Sequence, residues 1–204
     1  MAKPPAPERD AKEAAIVAAA RETFLAHGYD SASMDQIALA AGVSKRTVYN
    51  RFRSKEELFA AAIEESCRQI LPVDAAAIEA SLSAEQFVSE MAHAFLRGVL
   101  APEALALRRI AAFEAGRNPA LGKTYLAHGP AYMAATYAPI LERIAKREGL
   151  KIDDVETAIY QLGALISEPL FTEALLGAAP ANLDAAIDEQ IASGIRAFWR
   201  IYGR

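Results

Sequence analysis

Apolar residues recur every three or four positions along most of the chain, and we find no β-branched runs that alternate between turns. The first segment, over about 10–27, has one apolar stripe and ends at Gly28; the stripe consists of Ile16, Val17, Ala20 and Phe24. Comparable patterns predict further helices over about 34–41, 45–52, 54–70, 102–116, 118–149, 153–177 and 183–202, and another that begins at a capping box of Ser83 and Gln86. The predicted cap of the helix over 153–177 is Asp153. The fold class is therefore all-α.

Prolines and glycines divide this pattern. Gly129-Pro130 must break or kink the helix over 118–149, and Glu168-Pro169 bends the helix over 153–177. Pro72 ends the fourth helix and predicts a domain boundary within 69–75. We therefore expect a flexible arm over 1–9, a small N-terminal domain over 10–70, and a larger helical domain over 71–204.

The stretch from 33 to 58 has the pattern of two short helices joined at a glycine. Ser33 and Gln36 form a capping box for the first helix, and Ser44 can cap the second. Gly42 stands where a helix end requires the left-handed geometry that a Cβ disfavours. This arrangement predicts a helix-turn-helix, whose second helix can enter a major groove about 12 Å wide.

Charge along the second of these helices favours nucleic acid as its partner. The whole chain has a formal charge of −4, from 22 Lys and Arg and 26 Asp and Glu, yet residues 44–55 contain no acid. That segment carries five cations: Lys45, Arg46, Arg51, Arg53 and Lys55. Because the local field and not the net charge attracts phosphate, this surface is a candidate DNA contact. The alternative is an ordinary solvated helix face, but the cap, the glycine and the apolar residues Val48 and Phe52 are in register with a reading helix.

Three sequence runs resemble the TetR family of transcriptional regulators. They are I-A-L-A-A-G-V-S over 37–44, T-V-Y-N-R-F over 47–52 and S-K-E-E-L-F over 54–59. The resemblance covers about the first 60 residues and is specific as a combination. It implies a DNA-reading head and a C-terminal domain that binds an effector and forms a homodimer.

The resemblance also implies roles for single residues. Tyr49 and Lys55 would contact phosphates, Thr47 would touch backbone or base, and the variable reading positions would be Lys45, Arg46 and Asn50. Arg can read guanine with two hydrogen bonds, and Asn can read adenine. Arg51 stands where many relatives have His, and Arg46 stands where a small residue is frequent. The operator sequence therefore cannot be transferred from a relative.

The last two predicted helices favour a dimer. The helix over 153–177 is apolar nearly all round, and the helix over 183–202 carries one continuous stripe, so both require burial from more than one side. A twofold dimer would also present two reading helices to a palindromic operator in double-stranded DNA. The interface candidates are Ile159, Leu162, Ile166, Ile191, Ile195 and Phe198.

Aromatic residues in the C-terminal part are candidates for an effector site of unknown ligand. Tyr125, His128 and Tyr132 share one helical face beside Gly129-Pro130, and apolar cavities with a few polar groups are typical of small-molecule sites. Further candidates are Phe95, Phe113 and Glu168. The alternatives stay open: aromatics at this spacing are usually core, and a glutamate at a helix bend can simply face solvent.

Other classes of protein are disfavoured. The histidines at 27, 93 and 128 have no metal-ligand spacing, and the chain has neither a glycine-rich phosphate loop nor a G-x-S-x-G motif, so we expect no enzyme, cofactor or metal. Its one cysteine, Cys67, excludes an internal disulfide. Without a spanning apolar run or a signal sequence, we expect a cytoplasmic protein with no membrane contact.

These patterns predict a homodimeric repressor that a small molecule releases from its operator. In the expected mechanism the effector shifts helices of the C-terminal domain, the fourth helix transmits the shift, and the reading helices lose their match to the two half-sites. The alternative is an activator, or a regulator without a ligand, on the same scaffold.

Overall fold

The computed structural model describes residues 10–70 and 81–203, which form helices and no strand. The all-α prediction is therefore confirmed for these ranges. In chain order the helices are α1 (Ala11–Ser31), α2 (Met34–Ala40), α3 (Lys45–Arg51), α4 (Lys55–Ile70), α5 (Ala84–Val99), α6 (Pro102–Ala115), α7 (Pro119–His128), α8 (Pro130–Glu148), α9 (Val155–Ser167), α10 (Leu170–Leu175) and α11 (Leu183–Tyr202). The arm predicted over 1–9 and most of the boundary predicted within 69–75 lie outside the described residues.

Local capping chemistry places most of the helix ends. Both halves of the predicted capping boxes at Ser33 and Ser83 are formed, and the Ser44 side chain accepts from Thr47 N. Gly28 adopts a φ of 76°, but helical geometry resumes after it, so the residue kinks α1 where the pattern predicted an end. The cap of α9 is Asp154, one residue later than predicted, and it accepts from Thr157 N.

Both predicted helix breaks occur. The segment over 118–149 separates into α7 and α8 at Gly129, and the segment over 153–177 separates into α9 and α10 at Glu168-Pro169. Proline lacks the amide hydrogen that a continuous helix would donate, which explains both positions. None of the described helices is long and apolar enough to cross a membrane.

The first of two compact units contains the described residues of 10–67 and 102–132. At its core three aromatic rings, Phe24, Tyr29 and Phe59, lie with centroids 5.3–5.7 Å apart. Helix α6 packs against α1 and α7. Helix α1 is buried on several sides, and apolar residues of α6 pack against it. Residues 102–132 therefore belong to this unit, whereas the sequence analysis placed them in the domain over 71–204.

The second unit contains the described residues of 68–101 and 133–203. Its centre is the packing of α9 against α11, with α5 against both. The closest approach is at Gly194 of α11, where a Cβ atom would lie 2.6 Å from the carbonyl oxygen of Leu165. The apolar stripes of α9 and α11 therefore face each other inside one chain.

Candidate nucleic-acid interface

The turn between α2 and α3 is held by backbone contacts that the sequence makes possible. Gly42 takes a φ of 65°, and the amide of Val43 donates to the carbonyl of Ala38 at 3.1 Å. On α3, Val48 is completely buried and Phe52 follows in the core. The other side of α3 therefore faces solvent, in the arrangement of a helix-turn-helix.

Three of the residues predicted to contact DNA project from this exposed side: two reading residues and one phosphate contact. Arg46 and Asn50 are exposed and make no hydrogen bond or ion pair within the described residues. Tyr49 is 44% exposed, with the Lys45 ammonium 5.9 Å from its ring centroid. A guanidinium, an amide and a phenol on one open surface can hydrogen-bond base edges and phosphates.

Lys45 and Thr47 lie at the same surface, each with a local partner. The Lys45 ammonium is 2.8 Å from the carboxylate of Asp35 on α2, and this hydrogen bond raises the pKa of Lys45. The Thr47 hydroxyl lies 2.8 Å from that of Ser44. Asp35 offsets part of the local positive charge, while the exposed ammonium of Lys45 keeps donor capacity for a phosphate.

Arg51 does not project into this surface. Its guanidinium is half-buried, 2.7 Å from Asp10 and 3.6 Å from Glu13 at the start of α1. The pKa of Asp10 is lowered, first by the amide of Glu13 and then by Arg51. The two carboxylates draw this side chain towards α1, so the DNA contact of Arg51 stays a prediction.

Lys55 is also directed away from the open side of α3. Its ammonium donates to the carbonyl oxygens of Tyr29, Asp30 and Ala32 at 2.7, 3.1 and 3.0 Å. It also lies 4.5 Å from the ring centroid of Tyr29. A lysine has three donor hydrogens, and three acceptors already surround them, so the side-chain phosphate contact predicted for Lys55 is not supported.

The predicted effector residues are not all brought together. Tyr125, His128 and Tyr132 lie in the first compact unit and are half-buried. Burial raises the pKa of Tyr125, and the Arg108 guanidinium lies 5.8 Å from its ring centroid. His128 Nδ1 is 2.6 Å from Glu64 of α4. These three residues remain candidates within one unit.

The other three effector candidates have different surroundings. Phe113 is 64% exposed, with the Arg117 guanidinium 4.7 Å from its ring centroid, so it lines no enclosed site. Glu168 is exposed at the helix bend, as the solvent-facing alternative predicted. Phe95 belongs to the second unit and is half-buried, close to Gly163.

Most of the predicted interface residues are covered within one chain, namely Ile159, Leu162, Ile166, Ile191 and Phe198. Only Ile195 is half-buried. Helices α5, α9 and α11 of the same chain bury these residues against each other, so their part in a dimer contact stays a prediction. Sequence reasoning missed Tyr160 and Ala192, which are exposed on the outward side of the same helices. The sequence signal for this outward side is weak, because it consists only of one aromatic residue and small residues at helical spacing.

Comparison with protein families gives matches over both parts of the chain. Residues 16–62 match the family described as bacterial regulatory proteins, tetR family. Residues 86–204 match the family described as AefR-like transcriptional repressor, C-terminal domain. The second match alone covers more than half of the chain.

Solved structures resemble the chain over nearly its full length. A putative TetR-family transcriptional regulator from Mesorhizobium loti is 27% identical with a TM-score of 0.75, over 95% of this chain and 97% of that one. The Flavonoid-responsive Regulator FrrA is 33% identical with a TM-score of 0.70, over 93% of this chain and 96% of that one.

Curated relatives match over a shorter segment. The HTH-type transcriptional activator FasR of Mycolicibacterium smegmatis is 45% identical over 56 residues, which is 28% of this chain and 26% of the relative. The DNA-binding transcriptional repressor TetR of Mycobacteroides abscessus is 40% identical over 55 residues, 27% of this chain and 29% of the relative. The chain thus matches little more than a quarter of the length of these two relatives.

Proposed function

The chain belongs to the TetR family of transcriptional regulators, and we propose that it is a homodimeric repressor that leaves a palindromic operator when a small molecule binds. The observation that carries this proposal is the open side of α3, where Arg46, Tyr49 and Asn50 face solvent. Repression is supported by the repressor family that residues 86–204 match. We assign DNA reading to 10–70, effector binding and dimerisation to 71–204, and the cytoplasm as location.

On this proposal the exposed residues of α3 divide into two roles. Arg46 and Asn50 have no competing partner in the described ranges and read base edges. Tyr49, Lys45 and Thr47 contact the DNA backbone and fix the position of the helix in the groove. A dimer repeats this contact in a second half-site about 34 Å away.

Replacing Arg46 by alanine is expected to relax the preference at particular base pairs by about 1–3 kcal/mol each. Replacing Tyr49 by alanine is expected to weaken binding to every DNA sequence by the same factor, because a phosphate contact does not distinguish one base from another. Selection of binding sites from random DNA, followed by titration of single-base variants at one salt concentration, measures both effects.

The matched control for these two variants is Arg51→Ala. Its guanidinium is paired with α1, so its removal should leave base preference intact while destabilising the attachment of α3 to α1. Unchanged base preference and affinity in both Arg46→Ala and Tyr49→Ala would contradict the assignment of α3 as the reading helix.

The proposed release route runs through α4. Three polar contacts join α7 to α4 in the first compact unit. His128 lies 2.6 Å from Glu64, the Thr124 hydroxyl donates to Glu56 at 2.7 Å, and the Cys67 thiol donates to the carbonyl oxygen of His128 at 3.9 Å. Helix α4 also follows α3 directly along the chain. We infer that an effector held by Tyr125, His128 and Tyr132 displaces α7, and that α4 carries the displacement to the reading head.

For the ligand class we propose a planar aromatic molecule of the flavonoid type. FrrA, at 33% identity over nearly the whole chain, is described as flavonoid-responsive. The tyrosine pair at positions 125 and 132 fits an aromatic ligand, since aromatic rings stack with offset or edge-to-face geometry.

Tyr132→Ala is expected to raise the flavonoid concentration needed for operator release, while operator binding without ligand stays close to that of the unaltered protein. A ligand can release DNA only through its different affinity for the two conformations, and a lost pocket contact reduces that difference. Operator titration in the presence of a flavonoid panel measures the change.

The control for this experiment is Phe113→Ala, because Phe113 is an exposed aromatic of the same unit. It should leave ligand response unchanged. Should Tyr132→Ala instead lower the free energy of unfolding by about 3 kcal/mol with an unchanged ligand response, Tyr132 is core and not pocket.

The second candidate function is activation on the same scaffold, with or without a ligand. It is favoured by one observation: the relative FasR is an activator and is 45% identical over 56 residues. A reporter with the selected operator placed either upstream of or across the promoter distinguishes the two signs of regulation. Constant output with every compound in the panel would favour a regulator that acts without a ligand.

A further inference from the structure

We propose that Lys55 is a positioning residue for DNA recognition, which clamps the connection between α1 and α2 to the first turn of α4. The inference rests on the proposed function, in that the clamp orients the helix that reads DNA. It assigns Lys55 a role different from the phosphate contact implied by the family pattern.

The clamp is built from groups far apart along the chain. Carbonyl oxygens of Tyr29, Asp30 and Ala32 converge on the ammonium at 2.7–3.1 Å. The positive φ of Gly28 turns the chain just before these carbonyls, which allows them to converge. The ring of Tyr29 covers the ammonium from one side at 4.5 Å, and this geometry is typical of a cation–π contact.

In this arrangement each donor hydrogen of the Lys55 ammonium has an acceptor. Three donor hydrogens meet three carbonyl acceptors, and charge-assisted bonds of this kind are stronger than neutral ones. A phosphate oxygen would have to replace one of these carbonyls, and that carbonyl would lose its partner in a partly buried position. The geometry therefore favours retention of the clamp when DNA is bound.

The clamp lies directly before the reading head. Ala32, one of the three acceptors, precedes Ser33, the N-cap of α2. Helix α2 is in turn joined to α3 through the Gly42 turn and the bond from Val43 to Ala38. The start of α2 is thus fixed to the start of α4. Because the turn at Gly42 joins α3 to α2, the same contacts also orient α3. A displacement of α4 would move α2 and α3 with it.

The test compares Lys55→Arg and Lys55→Gln as full-length chains, with Kd for the selected operator measured at several salt concentrations. Arginine keeps the charge, but its planar guanidinium cannot reproduce the convergent bonds of an ammonium to three carbonyls. We expect both variants to raise Kd by about tenfold, the equivalent of one lost charge-assisted hydrogen bond. For Lys55→Arg the slope of log Kd against log salt should stay unchanged, since the charge is kept.

A phosphate contact gives a different pattern. Lys55→Arg would then bind like the unaltered protein, and Lys55→Gln would lower the salt slope by about one unit. That result would overturn the clamp. The matched control is Lys45→Gln on the open side of α3, which should lower the slope by about one unit if Lys45 contacts a phosphate.

Hydrogen exchange in the absence of DNA separates the clamp from general unfolding. In Lys55→Arg, amides over 33–52 should exchange at least about tenfold faster, while those of α11 in the second unit keep their protection. Unchanged exchange over 33–52 would overturn the clamp even if DNA binding fell. If the unaltered protein selects no DNA sequence, the proposed function fails, and the exchange result still decides the clamp.

Discussion

Tyr160→Glu is expected to split the dimer into chains of 21.9 kDa and to weaken operator binding by about a thousandfold at fixed salt. Tyr160 lies on α9 and is 44% exposed on the single chain, beside the inward stripe that α11 covers. A twofold interface contains every residue twice, so one substitution places two carboxylates in the same desolvated surface. A separated chain keeps one half-site contact and loses most of its specific affinity.

The measurement is sedimentation velocity together with operator titration. Because Tyr160 is already partly exposed in one chain, the variant should retain its helix content. Its unfolding temperature should fall only by the stabilisation that the partner subunit supplies, and it should no longer depend on protein concentration. Ile195→Glu does not allow this separation, since Ile195 is half-buried within the chain and a charge there also disturbs the fold.

The control is Leu126→Glu, which places the same charge on an exposed leucine of α7 in the other compact unit. It should leave sedimentation unchanged. Dimers that persist in Tyr160→Glu at micromolar concentration would show that another surface joins the subunits, and an unaltered chain that sediments as a monomer would contradict the dimer itself.

The features that the sequence predicted correctly depend on chemistry within a few residues. The capping boxes at Ser33 and Ser83 need only a hydroxyl and a glutamine three positions later. The left-handed turn at Gly42 requires only a residue without a Cβ atom. Such local determinants do not depend on the rest of the fold, so the bounds of α2 and α3 and the start of α5 follow from the sequence.

The features that the sequence missed depend on distant partners. The acceptors of Lys55 lie 23 to 26 residues before it, and the carboxylates of Arg51 lie at the start of α1. A charged side chain in an acid-free segment gives no sign of whether it faces phosphate or a carbonyl elsewhere in its own chain. The position of these two residues within the motif therefore shows that they are charged, but it does not show which groups their side chains contact.

Hydrophobic pattern has a similar limit for α9 and α11. An apolar stripe such as Ile187, Ile191 and Phe198 predicts that these side chains are buried. It does not indicate whether the residues that pack against them belong to the same chain or to a partner. Here the cover comes from α5 and from the two helices themselves. The outward sides, with Tyr160 and Ala164, carry too few apolar groups to be recognised by periodicity.

Gly194→Ala is expected to lower the free energy of unfolding by about 3 kcal/mol. The added Cβ would lie 2.6 Å from the carbonyl oxygen of Leu165 and 2.7 Å from a methyl group of Ile166. Backbone atoms of α9 cannot rotate away as a flexible side chain would, so α11 must move outward and loosen the contacts of Ile191 and Phe198. Denaturant unfolding monitored by circular dichroism measures the loss.

Gly163→Ala is the matched control, because Gly163 is also inside a helix of the same unit. Its added Cβ would meet only the tip of the Phe95 ring, at an ordinary distance of 3.9 Å. Alanine favours helix over glycine by about 1 kcal/mol, so this variant should be neutral or more stable. Since the helix preference is the same at both sites, the difference between the two variants isolates the close approach of α11 to α9. Equal effects at the two positions would show that this approach does not limit the packing of the second unit.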